Sequence, residues 1–180
     1  MIIGPKKLLK LVKDERLVTG LDRRELENPE GAGFDLRLGA VHKISGGSAF
    51  LGIRDRETPT IETLYTYIKC KKQELRFNPQ EFYLLQTLEE VNLPVDITAQ
   101  IKPRTTTFRS GLIIRTGAVQ PGYKGSLTFG AFNAGPIPVV MELGCRFAHI
   151  QFFWVDGGGE SYRGQWQGGR VTTEKREKQV

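Results

Sequence analysis

Hydrophobic positions recur along this chain with two periods, and the change of period marks its architecture. From Pro5 to Leu17, the residues Leu8, Leu9, Leu11, Val12 and Leu17 form a broad apolar stripe against lysines, the spacing of an amphipathic helix. Pro5 suits a first turn, where a missing N–H costs nothing, and Gly20 is placed to end the helix. Beyond it the period falls to two. Phe34, Leu36, Leu38 and Val41 set against Asp35, Arg37 and Lys43 predict a strand over Gly33–Ser45. Phe82–Thr87 and Ile97–Ile101 predict further strands, and Glu74–Pro79 a strand running into a turn. Leu112–Ile114 reads as a short buried strand, and Leu127, Phe129 and Ala131 alternate within Ser126–Asn133. Ile137–Leu143 and the long apolar run Arg146–Val155 complete the set. The polar segment Leu21–Gly33 reads as loop, and Ser45–Lys69 as a hairpin or excursion.

Composition agrees with a β-rich fold. Twenty-one glycines and nine prolines in short clusters mean many turns, and 180 residues suffice for one domain with a sizeable core. That domain is read as residues 1–180, a core of about 1–156 followed by a glycine-rich arm, 157–180. No apolar run approaches the roughly 20 residues of a membrane span. Charges interrupt the apolar N-terminus MIIGPKKLLKLV, which argues against a secretory signal and for a cytoplasmic protein. Cys70 and Cys145 match no metal spacing, and no metal ligand set is legible. The net charge of +6 invites a nucleic-acid partner, yet Lys6, Lys7, Lys10, Lys13, Lys71, Lys72, Lys175 and Arg176 fall in short runs without an aromatic ladder. An RNA-binding domain would rest on charge alone. Positive charge equally suits a nucleoside triphosphate.

The chemistry concentrates in Lys102–Gly125, KPRTTTFRSGLIIRTGAVQPGYKG. Arg104 and Arg109 bracket Thr105, Thr106 and Thr107; guanidinium forks pair bidentately with phosphate oxygens, and hydroxyls bond the same oxygens. After the strand comes GAVQPGYKG, with Gly117, Pro121, Gly122 and Gly125 around Tyr123. Glycines let the backbone approach a flat ligand such as a base, and a tyrosine can cover a sugar. Near the end, SYRGQWQGGRV combines Tyr162, Gln165, Trp166 and Gln167 with glycines, a tail that cannot build a core but can fold over a ligand; the last residues, TTEKREKQV, read as a disordered tail.

Taken in order, GFDLRLG, PRTTTFRSGL, AVQPGYKG, GCRFAHIQFF and YRGQWQGG resemble the superfamily of dUTP diphosphatases and dCTP deaminases, nearest to its archaeal-type dUTPases. The resemblance implies a distorted antiparallel β-barrel or jelly-roll-like fold with a short N-terminal helix, a homotrimer with sites between subunits, and an arm closing over the nucleotide. It implies a deoxynucleoside triphosphate ligand held by Arg104, Thr105, Thr106, Arg109, Gly117, Tyr123, Thr128, Phe129, His149, Tyr162, Gln165 and Gln167, with Mg²⁺ bound through the phosphates. His149 stands where the family usually has a glutamine that reaches the phosphates, and Asp35 belongs to a motif supporting the shared site. Two positions depart from the pattern. Gln120 occupies the place of the water-activating aspartate, and Gly130 that of the deaminases' catalytic glutamate. Three readings follow: a dUTP hydrolase giving dUMP and diphosphate, a dCTP deaminase, or a nucleotide-binding homologue without catalysis.

Overall fold

Antiparallel strands dominate the computed structural model, which describes residues 1–179. Helix α1, Pro5–Glu15, leads to the two-residue strand β1, Val18–Thr19, and a short helix α2, Arg23–Glu27. Strand β2 is Phe34–Gly46. A small hairpin, β3 (Phe50–Leu51) with β4 (Asp55–Glu57), precedes β5, Thr60–Thr66. Then come β6 (Glu74–Phe77), β7 (Phe82–Asn92) and β8 (Ile97–Pro103), with helix α3, Thr105–Arg109, directly after. Strands β9 (Leu112–Arg115), β10 (Ala118–Val119), β11 (Lys124–Asn133), β12 (Val139–Glu142), β13 (Arg146–Trp154) and β14 (Glu177–Lys178) finish the chain.

Nine strands form one sheet in the order β10-β8-β13-β2-β7-β11-β9, with β1 added to β7 and β5 to β2. Register shifts at Leu38/Ala40, Val41/His42, Ser126/Thr128 and Arg146/Ala148 place bulges in its long strands. A bulge bends its strand and increases the twist, so a sheet this wide curls into a half-barrel rather than lying flat. Inside the curl lie Phe34, Leu36, Leu38, Leu85, Ile97, Phe147 and Phe152, all fully buried. Leu8 and Leu11 of α1 join this core, and Ile3 N donates to Phe152 O. The fold is the mainly β, barrel-like one that the motif order implies.

Several boundaries differ from the sequence pattern. Helix α1 stops at Glu15, because Arg16 takes a left-handed conformation (φ 54°) and its N–H caps Leu11 O; Gly20 plays no part in ending it. Helix α2 lies within the stretch read as loop. Asp22 caps it through the Arg24 N–H, and its buried Glu25 accepts from Asp35 N at 3.0 Å, so a distant strand holds what five polar residues would not hold alone. Strand β7 runs five residues past Thr87, to Asn92, where β1 and β11 pair with it. The terminal stretch is ordered too: Thr58 N donates to Thr173 Oγ1, Thr173 N donates to Thr58 Oγ1, and β14 pairs with β4. Val180 lies outside the described residues.

Candidate functional site

The outer face of β2, β7 and β11, the turn after β10 and the C-terminal arm enclose a cavity of about 510 Å³. Its walls come from Ile44, Ile61, Phe82, Leu84, Leu127 and Phe129, with Gly117–Gln120 and Tyr123 at one side and Tyr162, Trp166, Arg170 and Val171 from the arm. Arg115, Gln120 and Arg170, with the hydroxyls of Thr58, Thr116 and Thr128, supply side-chain polarity; among the described residues no aspartate, glutamate, histidine, lysine or cysteine lines it. Tyr123 is packed edge-on to Tyr162 at 5.3 Å, and its hydroxyl donates to Ser126 O. Burial pushes the Tyr123 phenol up to about 12, so it remains a hydrogen-bond donor and not a base.

The glycines of the PGYKG turn serve the arm. A side chain on Gly122 would stand 3.0 Å from Tyr162 N, and one on Gly125 would stand 2.6 Å from the Gly168 carbonyl carbon. Both glycines have positive φ. The expected close approach of backbone to ligand is thus, at these two positions, an approach of backbone to backbone. Gly117 is different: it lines the cavity with nothing within 4 Å of where its side chain would begin. The arm is further clasped by Tyr162 N on Pro121 O, by Gln167 between Lys124 N and Gly122 O, and by Gln86 Nε2 on Gly169 O. It closes on its own chain.

A second cluster forms around Asp35, which is 3% exposed. Arg104 and Arg146 donate to its Oδ2, His149 Nδ1 lies 2.9 Å from its Oδ1, and Arg24 stands 3.8 Å away. Burial pushes the Asp35 carboxyl up, but the bonds from His149 and Arg104 outweigh it and hold the pKa below the ordinary value. Arg24 is itself paired with Glu25 and Glu30, so Arg104 and Arg146, with His149 beside them, set two guanidinium charges against the one carboxylate of Asp35, a condition for anion binding. Gly33 makes the room: a side chain there would meet Ile150 O and stand 2.8 Å from His149 Nε2. Beside this cluster a cavity of about 400 Å³ takes its polar lining from Arg104, Thr106, Thr107, Ser110 and Arg146, with the carboxylate of Glu142 also in its wall.

The residues named from the sequence therefore divide. Gly117, Gln120, Tyr123, Thr128, Phe129 and Tyr162 share the first cavity, and Arg104 and Thr106 line the second. His149 joins Arg104 through Asp35. Thr105 and Arg109 are exposed on the short helix α3. Gln165 points away to Glu177, and Gln167 is spent on the turn. Sequence reasoning missed Arg115, Arg146, Phe82 and Arg170. Arg115 had a signal, since it ends the apolar run Leu112–Ile114 on the polar beat; the other three had none, because their neighbours are remote in sequence.

The comparisons with known proteins agree with this architecture. The dCTP deaminase-like family profile matches residues 2–155. A protein named dCTP deaminase from Pyrobaculum arsenaticum is 30% identical over 173 residues, 96% of this chain and 95% of that protein. Another of that name, from Thermococcus kodakarensis, is 32% identical over 145 residues, 80% of this chain and 82% of the relative. Among solved structures, the 2'-deoxycytidine 5'-triphosphate deaminase of Agrobacterium tumefaciens superposes with a TM-score of 0.64 at 18% identity. That match covers 84% of this chain but 47% of the other, so this chain spans about half the length of that deaminase, and the likeness speaks to the fold. With the motif order, the half-barrel and two relatives covered over four-fifths or more of their length in accord, the chain belongs to the dCTP deaminase-like family.

Proposed function

We propose that this protein binds a pyrimidine deoxynucleoside triphosphate, and that the carboxylate-dependent reactions of its superfamily are slow or lost. The observation that carries the reading is the cavity's lining: two arginines and a glutamine and, among the described residues, no carboxylate or histidine. Deamination needs a group that shuttles protons to the base, and Gly130 stands in its place. Hydrolysis needs a base to activate water, and the amide of Gln120 accepts no proton near neutral pH. A positioned general base contributes ~10²–10⁴ in rate, so its loss alone makes turnover feeble.

In this reading the base enters the 510 Å³ cavity, Tyr123 and Tyr162 cover the sugar, and the triphosphate lies on Arg104, Arg109, Arg146 and His149. The base cavity and the phosphate cluster line different cavities within one chain. A homotrimer supports their union by setting the cluster of one protomer beside the cavity of the next. Among the described residues no three His, Cys, Asp or Glu side chains group as a metal site, and Asp35 is occupied by cations. The residues do not fit a protein-held Mg²⁺; one arriving with the nucleotide would be carried by its phosphates.

The relatives' name favours a second reading, dCTP deamination. One experiment separates them. Purified protein is titrated with dCTP and dUTP with and without Mg²⁺, while ammonia and diphosphate are assayed in parallel, and light scattering reports the assembly. Binding without appreciable product, by a trimer, is expected. Ammonia release from dCTP at an ordinary enzymatic rate would replace this reading with the second, and a monomer at micromolar concentration would remove the shared site.

A further inference from the structure

Cys70 and Cys145, far apart in sequence, come to one place in the fold. Cys70 is exposed and Cys145 half-buried, and both line a cavity of about 590 Å³ between the loop after β5 and the turn before β13. Both ends of that loop rest on the neighbours of Cys145. Gln73 O accepts from Leu143 N at 2.8 Å, and a side chain on Gly144 would stand 2.9 Å from Cε2 of the Tyr67 ring. Strand β2 holds the same two segments: Gly39 O accepts from Tyr67 N, Leu38 O from Gly144 N, and Leu38 N donates to Cys145 O. Cys70 lies three residues from Tyr67 and three from Gln73, so its backbone stays within about 11 Å of either anchor. The tip is ordered. Lys71 N donates to Ile68 O, the Gln73 amide bonds Ile68 N and Thr66 O, and Cys70 itself takes a left-handed conformation (φ 63°).

Exposure ranks the two thiols. An oxidant from solvent reaches Cys70 first. Burial, with Glu142 nearby, pushes the Cys145 thiol up to about 11, so it stays protonated until a partner sulfur arrives. We propose that Cys70 and Cys145 are a redox pair, a modification site at which a peroxide closes a disulfide between the loop and the turn. The Cys70 sulfur attacks the peroxide and takes one oxygen as sulfenic acid, releasing water. The Cys145 sulfur then attacks that of Cys70. The S–O bond breaks as the S–S bond forms, and the hydroxyl leaves with the thiol hydrogen as a second water. Two thiols lose two electrons, and one hydrogen peroxide takes them up. Closure sets the Cα atoms roughly 4.4–6.8 Å apart, so whatever approach is needed falls to the five residues between Tyr67 and Gln73, with both anchors kept. The same turn walls the phosphate cavity: Glu142 and Cys145 line both cavities, and the next residue, Arg146, donates to Asp35. Drawing Cys145 toward Cys70 takes it out of that wall, so the disulfide form holds a triphosphate more weakly. This last step rests on the triphosphate binding proposed above; the disulfide itself does not.

In the test, the full chain is reduced, freed of reductant and treated with a small excess of hydrogen peroxide. Peptide mass spectrometry without reduction, thiol titration and calorimetry with inorganic tripolyphosphate follow. The expected product is lighter by two hydrogen atoms per chain, has no free thiol, yields a peptide that links Cys70 to Cys145, and reverts with dithiothreitol. Tripolyphosphate affinity should fall severalfold on oxidation and recover on reduction. Cys70→Ser, in an exposed loop, should show one affinity before and after peroxide. Cys70 carried to sulfinic acid with Cys145 still free, or a disulfide between the Cys70 residues of two copies, overturns the pair. A Cys70–Cys145 disulfide with unchanged tripolyphosphate affinity overturns its hold on the phosphate cavity. A reduced parent that binds no tripolyphosphate overturns the triphosphate reading and the effect on affinity with it, while the linked peptide still decides the pair.

Discussion

The ring of Phe82 stands over Gly130: a side chain built on that glycine would begin 2.9 Å from Cζ and 3.1 Å from Cε2 of the phenylalanine. The backbone of Gly130 is extended strand paired with Leu84 and Arg115, so the glycine is not demanded by a left-handed conformation. What excludes a larger residue is the ring. The position to which the motif resemblance assigns the deaminases' glutamate is thus filled from the neighbouring strand. Gly130→Glu should destabilise the protein by ~1–3 kcal/mol, as overpacking does. In a Phe82→Ala background the same change should cost much less, and urea denaturation of the four proteins gives the coupling. Equal costs in both backgrounds would mean that the ring, 41% exposed, swings away freely.

Arg104 and Arg109 should separate affinity from stability. Arg104 is bonded to buried Asp35, so Arg104→Ala should lower both the unfolding free energy and triphosphate affinity, the latter on the order of 2–5 kcal/mol. Arg109 is exposed at the end of α3, and Arg109→Ala should weaken binding while leaving the urea midpoint unchanged. If both variants bind a deoxynucleoside triphosphate as tightly as the parent, the phosphates lie elsewhere.

Acid should act through Asp35. Its folded pKa lies below the ordinary 3.8, so the ionised carboxylate stabilises the fold at pH values above 3.8. That contribution is lost as pH falls through 3.8 and on through the lower folded value. The parent's unfolding free energy should therefore drop more steeply below pH 4 than that of Asp35→Asn. Asp35→Asn should also be less stable at pH 7, because Arg104 and Arg146 lose their shared counter-ion. Parallel acid limbs for the two proteins would assign the acid sensitivity to other carboxylates.

Gln120 is exposed and lines the cavity, at the position to which the motif resemblance assigns a water-activating aspartate. Gln120→Asp restores a group that can take a proton. Steady-state diphosphate release from dUTP should rise by up to ~10²–10⁴, with a pH profile that titrates on the acid side. A fast parent slowed by this change would place the base at another residue.

Much of the fold was legible because strand alternation and turn glycines are local. Phe34, Leu36 and Leu38 announce their strand through a spacing of two, and a one-residue slip would turn all three from the core. The same holds for Leu127, Phe129 and Ala131 of β11. Helix α2 was not legible, since its capping residue Asp22 and buried Glu25 are ordinary polar residues until Asp35 arrives beside them. Nor was the order of the terminal stretch, which depends on Thr58, more than a hundred residues earlier.

By itself, the sequence determined the run of strands, the N-terminal helix, the turn residues and a candidate set of phosphate-binding residues, because these follow from periods and motifs within a few residues of one another. Only the tertiary structure decided which of them meet. Arg104, Arg146 and His149 converge on Asp35 from 69, 111 and 114 residues away, and Phe82 reaches Gly130 across two paired strands. Register decides such meetings. Whether a cavity is lined by arginine, a threonine hydroxyl and a phenyl ring, or instead by a carboxylate, depends on which strands pair and at which residue, and no local pattern encodes that.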